Sequence, residues 1–114
     1  MIEIGYSPIF RKDSKRLSKK YRSLPEDLAQ LVAKLRDNPY LGTDLGDNVR
    51  KIRLGIASKG KGKRGGARVL TDTEAVVSIE EGHITLLTLY DKSERETLTD
   101  AEIKELLRLS RYYK

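Results

Sequence analysis

Apolar and polar positions change their spacing along this chain, and each change marks an element. Ile2, Ile4 and Tyr6 alternate with Glu3 and Gly5, the period of two that predicts a short first strand. Ser7-Pro8 then offers an N-cap and a proline at the first helical position, where a missing N–H costs nothing. A helix to about Arg22 follows, with Phe10, Leu17 and Tyr21 on one side and Arg11, Lys12, Lys15, Arg16, Lys19 and Lys20 filling the rest. Ser23-Leu24-Pro25-Glu26 reads as a capping box, and Leu28, Leu31, Val32 and Leu35 continue at helical spacing until Asn38-Pro39 stops the ladder. The short link between the two helices predicts an antiparallel hairpin.

Tyr40 to Asn48 reads as a loop, after which the period returns to two. Ile52, Leu54 and Ile56 share one strand face, expected against the helices, and Lys51 and Arg53 point from the other. Ala67 to Ile79 and Ile84 to Tyr90, parted by a turn at Glu81-Gly82, predict two antiparallel strands, with Thr71-Asp72-Thr73-Glu74 as an interruption. Thr99 and Glu102 form a capping box, Leu98 can staple on Ile103, and Leu106 and Leu107 complete the stripe of a last helix to about Tyr112. The sum is an α+β domain spanning 1–114 in the order β-α-α-β-β-β-α.

Charge changes the picture. Between Asn48 and Thr71 there is no acid, yet Arg50, Lys51, Arg53, Lys59, Lys61, Lys63, Arg64 and Arg68 all fall there. The other 15 cations face all 17 acids, so the net charge of +6 is concentrated in one strand-loop-strand segment. A positive field this local points to a polyanion, most plainly nucleic acid. The lysine-rich first helix is expected to be a solvated face, with a second phosphate-tracking surface as its functional reading. No apolar run approaches membrane-spanning length, the N-terminus lacks the pattern of a secretion signal, and there is no cysteine, so a cytoplasmic setting is expected.

Gly60-Lys61-Gly62-Lys63-Arg64-Gly65 satisfies GxGxxG, but a dinucleotide site needs a helix after it and the sequence predicts a strand. The chain is too short for a protein kinase and has no HRD or DFG, and the absence of GK[ST] excludes a Walker loop. The basic segment carries no His, Asp or Glu, so no metal site or other cofactor is expected there, and the lone His83 reads as a surface residue. What remains on the residues alone is a metal-free phosphate site or an RNA-binding loop without chemistry. In the first, cations stabilise charge, and crowding lowers a lysine pKa until it serves as a base.

Lys51-Ile52-Arg53-Leu54, the run Lys59 to Val69, and Leu86-Leu87-Thr88-Leu89-Tyr90-Asp91-Lys92-Ser93-Glu94 together resemble the RelE/ParE superfamily of toxins, in particular the HigB-type and RelE-like toxins of type II toxin–antitoxin modules. The resemblance implies a twisted antiparallel sheet with the helical hairpin on one face and a C-terminal helix. It also implies cleavage of mRNA on the ribosome by metal-free transesterification. The partner it implies is a cognate, DNA-binding antitoxin encoded beside the toxin, which joins it in a hetero-oligomer. Carried over by position, Arg68 matches the family's transition-state arginine, Lys61 or Lys63 a candidate base, and Lys92 a further cation, with Tyr90 nearby as acid or stacking group. Lys51, Arg53, Lys59, Arg64 and Arg95 are expected to contact RNA. Ser93 and about Thr99 stand where many relatives carry arginine and tyrosine, which leaves the general acid open, Tyr112 and Tyr113 being substitutes. A ParE-like inhibitor of DNA gyrase and a non-catalytic RNA- or ribosome-binding module are the alternatives.

Overall fold

The computed structural model describes residues 1–60, 62 and 65–112, Tyr112 by its backbone. In chain order it comprises β1 (Ile2–Tyr6), α1 (Pro8–Lys20), α2 (Leu24–Asp37), β2 (Thr43–Gly46), β3 (Val49–Leu54), a 3-10 turn (Ala57–Lys59), β4 (Ala67–Asp72), β5 (Val76–Ser78), β6 (Glu81–Asp91) and α3 (Asp100–Tyr112). The fold is α+β, as expected. The strands lie in the order β1-β6-β4-β3-β2, with β5 also pairing with β6.

The sheet is mixed, because β1 runs parallel to β6 while the other pairings are antiparallel. No tight turn joins β1 to β6, so nothing local dictates an antiparallel direction. The junction is fixed where β1 ends: the Ser7 amide donates to the Leu86 carbonyl at 3.0 Å, and the Ser7 hydroxyl donates to the Leu87 carbonyl at 2.7 Å. That same hydroxyl accepts from the Phe10 amide at 3.0 Å, so the cap of α1 is also its anchor to the sheet.

Three local expectations change. The stretch read as a loop contains β2, which pairs with β3 through a tight turn in which Asp47 and Asn48 take φ values of 54° and 63°. Asp and Asn tolerate the left-handed region that such hairpin turns require. Ser23 makes no side-chain bond to the α2 backbone. Its hydroxyl instead bonds Asp27 at 2.7 Å and Ser58 at 2.9 Å, tying the start of α2 to the 3-10 turn. The single strand expected over 67–79 is parted into β4 and β5, and the interruption expected from Thr71 is found, beginning with a register shift between β4 and β6 in which Leu70 faces Thr88 and Thr71 faces Leu86. The Thr99–Glu102 capping box is reciprocal, both of its bonds measuring 3.1 Å.

Strand alternation sends side chains to two faces, and both are covered. On one, α1 and α2 contribute Phe10, Leu17, Leu24, Leu31 and Leu35 against Ile52, Leu54, Val69, Ile84, Leu86 and Leu89. On the other, α3 brings Leu107, with Leu98, Ile103 and Leu106, against Val49, Leu70 and Leu87. Burying each such Leu or Ile contributes about 1.5–3 kcal/mol. Every residue of β4 is buried, since β4 sits between strands and between covers.

The connection from β3 to β4 folds back tightly on its own start. A Cβ on Gly66 would stand 2.1 Å from the Leu54 carbonyl oxygen, a backbone atom that cannot yield alone. Gly66→Ala is therefore expected to lower stability by about 1–3 kcal/mol, read as a reduced urea midpoint at unchanged slope.

Candidate RNA-facing site

Pairing register brings three of the expected site residues into one row. Arg53 of β3 lies opposite Arg68 of β4, and Arg68 lies opposite Tyr90 of β6. Directly opposed residues project from the same face with Cβ atoms about 4.5–5.5 Å apart. That face is the one α3 covers, because Arg53 and Arg68 alternate with the hairpin-facing Ile52, Leu54 and Val69. Lys51 lies one pleat away on the same face, opposite Leu70. The row stands at the base of the glycine-lysine connection, which begins and ends at the Leu54 and Ala67 ends of β3 and β4.

The row is graded from solvent inwards. Arg53 is exposed, whereas Arg68 and Tyr90 are only 6% and 7% exposed. One Arg68 guanidinium nitrogen donates to the Ala67 carbonyl at 3.0 Å, which restrains the head group. Burial pushes the Tyr90 phenol above its ordinary pKa, outweighing the opposite pull of Arg68, Thr97 and Arg95. The phenol therefore keeps its proton throughout the neutral range, beside a fixed cation.

Lys92 and Arg95 border this row from the turn after β6. The Lys92 ammonium donates to the Glu96 carboxylate at 2.7 Å and to the Glu96 carbonyl at 3.3 Å. Arg95 donates to the Thr97 carbonyl at 3.0 Å and pairs with Glu102, so it ties the turn to the first turn of α3. Lys61, Lys63 and Arg64 lie outside the described residues, as do Tyr113 and the side chain of Tyr112.

Lys59 goes elsewhere. It was expected among the RNA-contacting cations, but its side chain is 9% exposed and its ammonium donates to the Asp91 carboxylate at 2.7 Å. Asp91 lies opposite Ala67, on the hairpin side of the sheet. Ser93 donates to the same Oδ1 as Lys59, from both amide and hydroxyl, while Oδ2 accepts from the Tyr21 hydroxyl at 2.5 Å and from Lys20 at 3.5 Å. Arg50 is likewise engaged, donating to the carbonyls of Tyr40 and Gly42. The cationic segment is thus divided between structural bonds and an open face.

Reasoning from sequence passed over Asp91, Tyr21 and Thr97. A signal for Asp91 existed: an acid ending a long apolar strand two residues before Ser93, the pattern of a side chain bonding the backbone two residues on. Tyr21 was assigned to the apolar stripe of α1, where its ring does lie against the core and only the hydroxyl reaches Asp91.

Two hollows adjoin the sheet. One of about 190 Å³ lies between α3 and the cationic face, lined by Lys51, Leu70, Tyr90 and Thr97. A larger groove of about 780 Å³ follows the edge of β3 beside α2, and neither Arg68 nor Tyr90 lines it. Of the row, Tyr90 lines the smaller hollow and Arg53 the larger groove, while Lys51 borders both. Among the described residues, no group of three His, Asp or Glu side chains is placed to hold a metal ion. No helix among them is long and apolar enough to cross a membrane.

The Asp91 network has a pH signature. Burial alone would raise this carboxyl, but the bonds from Lys59, Tyr21 and Ser93 outweigh it and hold the group well below the ordinary value of 3.8. The unfolded chain therefore takes up the proton first, so the stabilisation is complete above about pH 4 and is lost as pH falls below it. In urea unfolding, Asp91→Asn is expected to be less stable than the wild type at about pH 6, the gap closing towards about pH 3.

Residues 8–114 match the family model of the RelE toxin of the RelE/RelB toxin–antitoxin system. The match takes in both helices of the hairpin, the cationic connection, the Arg53–Arg68–Tyr90 row and the last helix. The chain is therefore a member of the RelE toxin family, the toxin of a toxin–antitoxin module whose partner is an antitoxin.

Proposed function

We propose that this toxin is an endoribonuclease that cuts mRNA on the translating ribosome by metal-free transesterification. The observation that carries the reading is the row Arg53–Arg68–Tyr90: two guanidiniums beside a buried, protonated phenol, at the base of a glycine-lysine connection. Exposed Arg53 and half-buried Lys51 meet the phosphate backbone. Arg68, held by the Ala67 carbonyl, faces the non-bridging oxygens of the scissile phosphate as negative charge accumulates there.

In this scheme the ribose 2′-OH attacks the adjacent phosphorus, and Lys61 or Lys63 takes its proton. The P–O5′ bond breaks as Tyr90 gives its proton to the departing 5′-oxygen, leaving a 2′,3′-cyclic phosphate and a 5′-OH. Lys92, beside the row, completes the phosphate surroundings. Because a phenol with a raised pKa stays protonated well above neutrality, Tyr90 is suited to the acid role and not to the base role.

A ParE-like gyrase inhibitor would act by binding protein and would have no need of this row. Primer extension on a defined mRNA under translation decides between the two. The expected result is cuts within codons that are reduced about 10²- to 10³-fold in Arg68→Ala. Arg68→Lys is expected not to restore them, since a point charge does not reproduce the fork. Tyr90→Phe is expected to cost about 10²- to 10⁴-fold. Intact mRNA with poisoned gyrase would replace this reading with the alternative, and salt-sensitive ribosome binding without cuts would reduce the toxin to a binding module.

A further inference from the structure

The Asp91 carboxylate lies on the far side of the sheet from the row, fully buried, and five donors converge on it. They come from three separate places: Lys20 and Tyr21 at the end of α1, Lys59 at the start of the glycine-lysine connection, and Ser93 in the turn after β6. Core stability alone does not call for such an arrangement, because an apolar side chain at the end of β6 would fill the space without a buried charge to satisfy.

What Asp91 joins is the start of the connection at Lys59 and the turn after β6. Its chain neighbours are Tyr90 and Lys92, and strand alternation sends a residue's neighbours to the opposite face. The Asp91 carbonyl accepts from the amides of Glu94 and Arg95, which closes the turn bearing Lys92 and Arg95. The Lys92 amide donates to the Gly66 carbonyl at 3.1 Å, reaching the other end of the connection just before Arg68. Asp91 therefore holds the first residue of the cationic connection through Lys59, and the Tyr90–Lys92 peptide through its own backbone.

We infer that Asp91 is a positioning residue for RNA cleavage: its bonds to Lys59, Tyr21 and Ser93 fix the turn at Lys59 and the Tyr90–Lys92 segment relative to Arg68. This inference rests on the nuclease reading above. Aligned groups accelerate a reaction only while their spacing holds, and a displacement of about 1 Å costs about 100-fold. A second consequence follows from charge. Asp91 is an acid on the hairpin side, so neutralising it does not weaken attraction for RNA, and a loss in its variants comes from geometry and not from binding.

The test measures kcat and KM separately on translating ribosomes carrying a defined mRNA, for Asp91→Asn, Tyr21→Phe, Lys59→Met and Lys59→Arg. Tyr21→Phe removes one hydroxyl from a half-buried ring and keeps the fold if Asp91→Asn does not. The expected result is a kcat about 10- to 100-fold lower in Asp91→Asn and Lys59→Met, with KM within about twofold. Tyr21→Phe is expected to fall between these variants and the wild type, and Lys59→Arg to recover part of what Lys59→Met loses. Amide exchange should quicken at Lys92, whose N–H spans to Gly66. Wild-type kcat in Asp91→Asn and Tyr21→Phe, or a loss confined to KM, overturns the inference. A wild-type chain that cuts no mRNA sinks the nuclease reading instead, and exchange at Lys92 then decides whether Asp91 holds the two segments together.

Discussion

The antiparallel ladder through β3, β4 and β6 is the constraint on which the rest of this structure depends. Its side-chain period is two, so a slip of one residue in β4 would send Arg68 into the leucines of the hairpin face and Val69 beneath α3. Such a slip would set a guanidinium among leucines and part Val69 from the hairpin residues it packs with. Two covers make the register strict, because neither face of β4 offers solvent as an alternative. The same strictness that protects the core aligns Arg53, Arg68 and Tyr90 in one row.

That row carries an electrostatic cost that the fold accepts. Two arginines stand side by side, and the inner one is almost wholly buried. A carbonyl acceptor from Ala67 lowers the cost, and the acids near the row are drawn into pairs with its outer cations: Glu96 with Lys92, and Glu102 with Arg95. The charge of Arg68 also acts on Glu96, so the acids balance part of the row's positive charge at the inner arginine as well as at the outer cations.

On the other face of the same strand end, a negative group answers to a comparable logic. Asp91 is buried with its charge intact because donors approach both of its oxygens. The two faces thus treat charge in opposite ways: a carboxylate satisfied within the protein behind the sheet, and guanidiniums turned towards the cleft in front of it. The peptide from Tyr90 to Lys92 is common to both. The arginine–tyrosine row on one face and the aspartate network on the other therefore share a few residues at the end of a single long strand.

The sequence by itself determined the elements that are governed by local periods and caps. The hairpin of α1 and α2, the Ser7 cap, the Thr99–Glu102 box and the inward direction of Ile52 and Leu54 all follow from spacing, because each rests on neighbours within a few residues. Charge counting located the cationic segment, and alternation placed Arg53 away from the helices. Only the tertiary structure decided the parallel pairing of β1 with β6, the placing of α3 against the cationic face, and the separate fates of Lys59 and Arg68. These are contacts between residues tens of positions apart. Lys59 and Arg68 are both cations of one segment along the chain, and only the folding of Asp91 against Tyr21 and Lys59 sets them apart.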